Sequence, residues 1–181
     1  KIKLSQSSTA LEFTYDKDKL VGIKSSDNYS IKYTHKSDET VSYQKTTLSS
    51  QNEEVKVCHG VLSFKNKNLI KDKRTLDDTE PGITSNYEVS YEYDLKNNPF
   101  YNILGFDKLL NHNDIISLNN SQIGIVESTV TNKEDQITSS ANFYKSSFKY
   151  DKEGYPTEKV AESVMPSDGK SGYLKTEYFY E

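Results

Sequence analysis

The chain has no tryptophan, one cysteine and one methionine in 181 residues, with four prolines and eight glycines. Each scarcity removes a class of protein. With Cys58 alone there is no internal disulfide framework and no cysteine-built zinc site. No stretch approaches the roughly 18 apolar residues of a helical membrane span. The net charge is −4 and lysines are mixed with acids throughout, so there is no basic stripe to follow phosphates and no nucleic-acid partner is expected. Hydrophobic residues make up only 33% of the chain, yet 14 tyrosines and 7 phenylalanines are present. Burying a large apolar side chain contributes roughly 1.5–3 kcal/mol, so the core must be drawn largely from rings. Many tyrosines with few leucines and alanines also favour sheet over helix.

The apolar residues repeat with period two through most of the chain. Leu11, Phe13 and Tyr15 alternate with polar neighbours, a polar break follows at 16–19, and Leu20, Val21 and Ile23 resume, which reads as a hairpin. Tyr29, Ile31, Tyr33 and His35, the turn KSDE, then Val41 and Tyr43 read as a second one. In EEVKVCHGVLSF both faces are apolar toward the end, so Gly60 is expected at a bulge or crossing point. The stretch YEVSYEYDLKNNPFYNILGFDKLL, residues 87–110, organises the rest. Tyr87, Val89, Tyr91 and Tyr93 share one side of a strand, and Glu88, Ser90 and Glu92 share the other. After Pro99, Phe100, Ile103, Leu104, Phe106, Leu109 and Leu110 recur at three and four, which predicts a short helix over 100–110. Ile115, Ile116 and Leu118 begin a further strand in this reading, and alternation resumes at 123–130 and 144–150. A last strand carries Tyr173, Tyr178 and Tyr180. About a dozen strands joined by tight turns describe an antiparallel meander in one domain spanning 1–181.

Three segments share aromatic-x-Tyr-Asp followed by a polar turn: FTYDKDKLVGI, YEYDLKNNPFYNI and FKYDKEGYPTEKV. Repeated hairpins account for them physically, and their spacing is too uneven for a solenoid. They resemble the YD-type hairpin units of Rhs-like proteins, and YEYDLKNNPFYNILG is similar to a segment of uncharacterised secreted lipoproteins of Bacteroidetes that carry such units irregularly. The resemblance implies export, a lipid on a cysteine upstream of Lys1 as the sole membrane attachment, and a β-rich fold. It implies no catalytic residue. The first and third segments lack NNPF. A first residue of Lys rather than Met is consistent with a removed export signal, and equally with a shortened chain.

Cys58 and His59 are adjacent, but neighbours on a strand point to opposite faces and cannot act as nucleophile and base, so Cys58 reads as buried and structural. His112 and Asp114 are two apart, as ligands or an oriented base would be, yet NHND reads as a solvated loop. The acidic pairs Asp16 and Asp18, Asp77 and Asp78, and Asp151 and Glu153 lack the EF-hand spacing, and lysines beside the first and last lower cation affinity. No catalytic residue, metal site or cofactor is therefore assigned. The tyrosine stripes read first as core. As a ligand groove, Tyr91, Tyr93, Phe106 and Tyr150 would offer flat apolar area with polar tips to a sugar or lipid.

The expected fold is all-β: a strongly twisted antiparallel meander curling toward an open or half barrel, with the helix after Pro99 packed on its aromatic face. The expected function is a non-enzymatic envelope module binding a glycan or protein. Behind it stand an acyl-chain or lipid carrier with the helix as lid, then a hydrolase built on His59 or His112.

Overall fold

Alternation and turn chemistry give eleven strands in a computed structural model, which describes residues 10–37, 39–110, 116–164 and 171–180. Strands β1 (Leu11–Asp16) and β2 (Lys19–Ser25) are joined by Lys17 and Asp18, at φ 46° and 63°. Strands β5 (Glu54–Lys65) and β6 (Asn68–Leu76) are joined by Asn66 and Lys67, at φ 51° and 63°. Two successive left-handed residues make a type I′ turn, whose twist matches that of the strands it joins. Between these hairpins lie β3 (Tyr29–Ser37) and β4 (Thr40–Leu48). The long strands β7 (Thr84–Asn97), β8 (Asn119–Thr131) and β9 (Ile137–Tyr150) follow, then β10 (Pro156–Val164) and β11 (Ser171–Glu177). Side chains build the later turns. Asn132 Oδ1 accepts the amides of Glu134 and Gln136 at 2.9 Å each, and Asp151 Oδ1 accepts that of Tyr155 at 2.8 Å.

All eleven strands form one antiparallel sheet in chain order, and the sheet is not closed. The all-β open meander read from the alternation is what forms. Directly paired residues share a face, so the register traces rows across the sheet. Ile23, Ile31, Lys45, Cys58 and Leu76 form one row. Tyr33, Tyr43, Gly60, Arg74 and Tyr87 form the next. The opposite face is polar, and there Glu88 meets Lys71 and also Lys73, at 3.0 Å.

The core lies over β2 to β6, where Leu20, Ile23, Tyr33, Val41, Leu62 and Leu69 are buried with Leu110 and Ile116. The last two belong to the β7–β8 connection, so that segment does cover the ring-bearing face. Among its described residues it does so without the α-helix expected over 100–110. From Asn98 to Leu109 the backbone bonds run i to i+3: Tyr101 to Asn98, Ile103 to Phe100, Phe106 to Ile103 and Leu109 to Phe106, at 3.0–3.3 Å. Only Phe106–Lys108 forms a 3-10 turn. Gly105 at φ 84° cannot lie inside an α-helix, and a segment this short does not repay helix nucleation unaided. Leu104, expected on the buried side, is 98% exposed. Leu104→Asp should therefore leave the melting temperature within a degree or two of wild type, since exposed substitutions cost within about 0.5 kcal/mol.

The strand expected from Ile115 does not begin there: 116–118 is a bend and β8 starts at Asn119. Tyr178 and Tyr180 follow β11 rather than lying in it. The turn at 166–170, His112, Asp114 and Ile115 lie outside the described residues. Burial of one face fails on the far side of the sheet, where every residue from Ile137 to Lys145 is exposed on both faces of β9.

Candidate functional site

The β7–β8 connection is fastened to the sheet by amides. Asn98, 3% exposed, donates its Nδ2 to Ser117 O at 2.8 Å and accepts the Phe100 amide at 3.0 Å. Asn68 donates to Asn119 Oδ1 at 2.9 Å and accepts the Asn119 amide at 3.0 Å. Asn120 donates to Asn97 O at 3.0 Å. Ser117 Oγ lies 3.0 Å from Tyr93 Oη, which donates in turn to Leu69 O at 2.6 Å. These groups leave water only because they satisfy one another. They hold the aromatic residues around them in place.

Those residues line a cleft of about 170 Å³, with Tyr93, Phe100, Phe148 and Tyr178 as its rings and Lys159 and Thr176 as polar lining. Phe100 and Tyr178 meet edge to face with centroids 6.4 Å apart, and Phe148 stacks on Tyr150 at 6.0 Å. Lys159 Nζ sits 5.8 Å above the Phe148 ring. Of the four residues nominated from the sequence, Tyr93 alone lines the cleft. Tyr150 stands behind it, its hydroxyl donating to Asp94 Oδ2, and burial together with Asp94 pushes that phenol well above its ordinary range. Tyr91 packs on the core cluster with its centroid 6.4 Å from Tyr93. Phe106 opens the 3-10 turn and does not line the cleft. Phe100 and Asn98 were present in KNNPF, but nothing local shows that they turn back onto β9 and β11.

The aromatic-x-Tyr-Asp segments have separate fates. The first and third are hairpins, β1–β2 and β9–β10. The middle one is not: β7 continues through Asp94 to Asn97, and Asp94 Oδ1 accepts the amides of Lys96 at 2.9 Å and Asn120 at 3.1 Å. The Asp94–Tyr150 bond thus ties the middle segment to the third.

A second cluster lies on the core side of β4 to β6. Asp72, 3% exposed, accepts Tyr43 Oη on Oδ1 and Arg74 Nη2 on Oδ2, both at 2.8 Å, while Arg74 Nε donates to Tyr43 Oη at 2.9 Å. Gly60 marks no bulge, since the register shifts on β5 fall elsewhere. The Tyr43 ring lies over it instead, 2.6 Å from where a β-carbon would be. Beside this cluster a cavity of about 330 Å³ is lined by Tyr33, Cys58, Leu62, Leu110 and their neighbours. Cys58 is buried and free, its thiol pushed up by burial.

His59 points to the other face, where Nδ1 lies 2.9 Å from the Asp77 carboxylate on an exposed surface. The hydroxyl of Thr75, paired with His59 across the ladder, donates to Asn86 Oδ1 at 2.7 Å. His35 Nε2 lies 2.9 Å from Leu20 O. Among the described residues no three histidine, cysteine or acidic side chains gather as a metal site.

No family model matches the chain, and no curated protein matches it. Among solved structures, a porin-like protein from Bacteroides vulgatus ATCC 8482 aligns with a TM-score of 0.57 at 12% identity, covering 96% of this chain and 80% of that one. A protein with unknown function from Bacteroides fragilis NCTC 9343 aligns over 94% of this chain and 92% of its own at 9% identity, with a TM-score of 0.31. At such identities the first likeness is one of fold alone.

Proposed function

We propose that the chain is a non-enzymatic binding module of the cell envelope that holds a sugar ring in the cleft of Tyr93, Phe100, Phe148 and Tyr178. The carrying observation is that these rings stand on a satisfied amide network with Lys159 and Thr176 among the lining. Flat apolar faces suit the C–H face of a pyranose, and polar groups beside them suit its hydroxyls. At about 170 Å³ the cleft takes one ring unit rather than a long ligand. A hydrolase built on His59 is disfavoured because the His59–Asp77 pair lies in a wide, open depression of the opposite face. The carrier reading loses its helical lid. The YEYDLKNNPFYNILG resemblance supports export and a lipid on a cysteine upstream of Lys1, and likeness to a porin-like protein is in keeping with an envelope setting.

A glycan array probed with the chain and with Phe148→Ala tests the reading. Wild type should retain a defined set of glycans, competed by the same glycan in solution. The variant, folded by circular dichroism, should bind about tenfold more weakly, the loss of about 1.4 kcal/mol of ring contact. Retention of no glycan, or equal retention by both proteins, rejects the proposal.

A further inference from the structure

Tyr33 is 5% exposed, and its hydroxyl has no hydrogen-bond partner among the described residues. A buried polar group left unpaired is costly, so native structures rarely contain one unless water or a ligand completes it. Tyr33 lines the 330 Å³ cavity beside β4 to β6, and its ring sits 6.3 Å from that of Tyr43. Burial holds the phenol protonated far above its ordinary range, so it remains a donor.

Arg74 and Lys45, which also face this space, are donors with capacity to spare, and Asp72 and Tyr43 line it with them. Arg74 spends Nε on Tyr43 and one Nη2 hydrogen on Asp72, leaving three of its five N–H groups. Lys45 also lines the cavity. Its ammonium rests 4.5 Å from the Tyr29 ring centroid and has no ion-pair partner among the described residues. The Asp72 carboxylate balances one of the two cations, so one positive charge is left over. Leu62, Leu76 and Leu110 add apolar lining to the same space. Unmet donors and an unbalanced cation call for an anionic acceptor, and the leucines call for a hydrocarbon body.

We infer that this cavity binds a small amphipathic carboxylate, its oxygens taken by Tyr33, Arg74 and Lys45 and its hydrocarbon laid against Leu62, Leu76 and Leu110. At about 330 Å³ the space is at the lower end for small-molecule sites, which suits a medium-chain acid rather than a membrane lipid. None of its residues lines the ring cleft, so the inference does not depend on glycan binding.

Isothermal titration calorimetry with octanoate and with octanol, on the chain and on Tyr33→Phe, decides it. Octanoate should bind saturably and octanol about tenfold more weakly, as expected when a charged acceptor is lost. Tyr33→Phe keeps the ring and should weaken octanoate about tenfold. Its melting temperature without ligand should equal or exceed that of wild type, because the variant removes a buried hydroxyl that has no partner. The inference is overturned if octanoate gives no saturable heat, if octanol binds as tightly, or if the variant binds octanoate unchanged. A fall in the variant's unliganded melting temperature overturns it as well, since the hydroxyl would then be paired within the protein.

Discussion

Asp72→Ala should destabilise the fold by about 2–3 kcal/mol, the cost of taking a buried acceptor from two donors when one of them, Arg74, stays partly solvated. Both carboxylate oxygens are in use, at 2.8 Å to Tyr43 and 2.8 Å to Arg74, and the side chain is 4% exposed. Alanine would leave the Arg74 guanidinium half-buried without its counter-charge, and it would strip the Tyr43 hydroxyl of its acceptor. For a chain of this size the loss corresponds to a drop of roughly 4–12 °C in melting temperature. The double variant Asp72→Leu with Arg74→Met should recover part of it, because replacing both partners by apolar groups avoids the stranded charge. If Asp72→Ala melts within two degrees of wild type, the cluster is not holding β4, β5 and β6 together.

Gly60→Ala should cost about 3 kcal/mol, from overpacking and a displaced hydrogen bond together. A β-carbon at this position would lie 2.3 Å from the Lys73 carbonyl oxygen on β6 and 2.7 Å from Tyr43 Oη. The ring can move only by leaving Asp72, and the carbonyl can move only with its strand. Gly22→Ala is the internal control, since its nearest contact is an ordinary 3.6 Å to Thr14 Cβ; there the change should be small, because alanine also orders the unfolded chain. Equal melting temperatures for the two variants would show that the close approach at Gly60 is relaxed at no cost. Combining Gly60→Ala with Tyr43→Ala should relieve the ring clash but not the carbonyl clash, so the double variant should be less damaged than the sum of the singles.

Strand content and hairpin order were legible because both are local. Leu11, Phe13 and Tyr15 return as Leu20 and Ile23 after two turn residues, and Val55 to Leu62 return as Leu69 to Leu76, so period and turn chemistry suffice to pair them. The helix after Pro99 was misread because spacing at three and four is shared by consecutive i to i+3 turns. Leu109 and Leu110 do reach the core, whereas Leu104 on the same supposed face lies in solvent. Gly105 was the local warning, and its positive φ ends any helix there.

The cleft residues were harder to read. Tyr93, nominated from its place on the aromatic stripe, lines the cleft, and Phe100, Phe148 and Tyr178 join it from a loop, a distant strand and the chain's final segment. Asparagines at 68, 98, 119 and 120 look like turn formers in sequence. They become a buried network only because β6 and the β7–β8 connection bring complementary amides within 3 Å or so.

The amino-acid order by itself determined an antiparallel meander with a ring-bearing face and a polar face, because side-chain alternation and two-residue turns act between near neighbours. It also placed Cys58 and His59 on opposite sides, which a strand requires. The tertiary structure alone decided which polar groups are paired. Asp72 finds Tyr43 and Arg74, Asn98 finds Ser117, and Tyr33 finds no acceptor among the described residues, since hydrogen bonding depends on distances of a few tenths of an ångström that only the packed sheet and its crossing loop set.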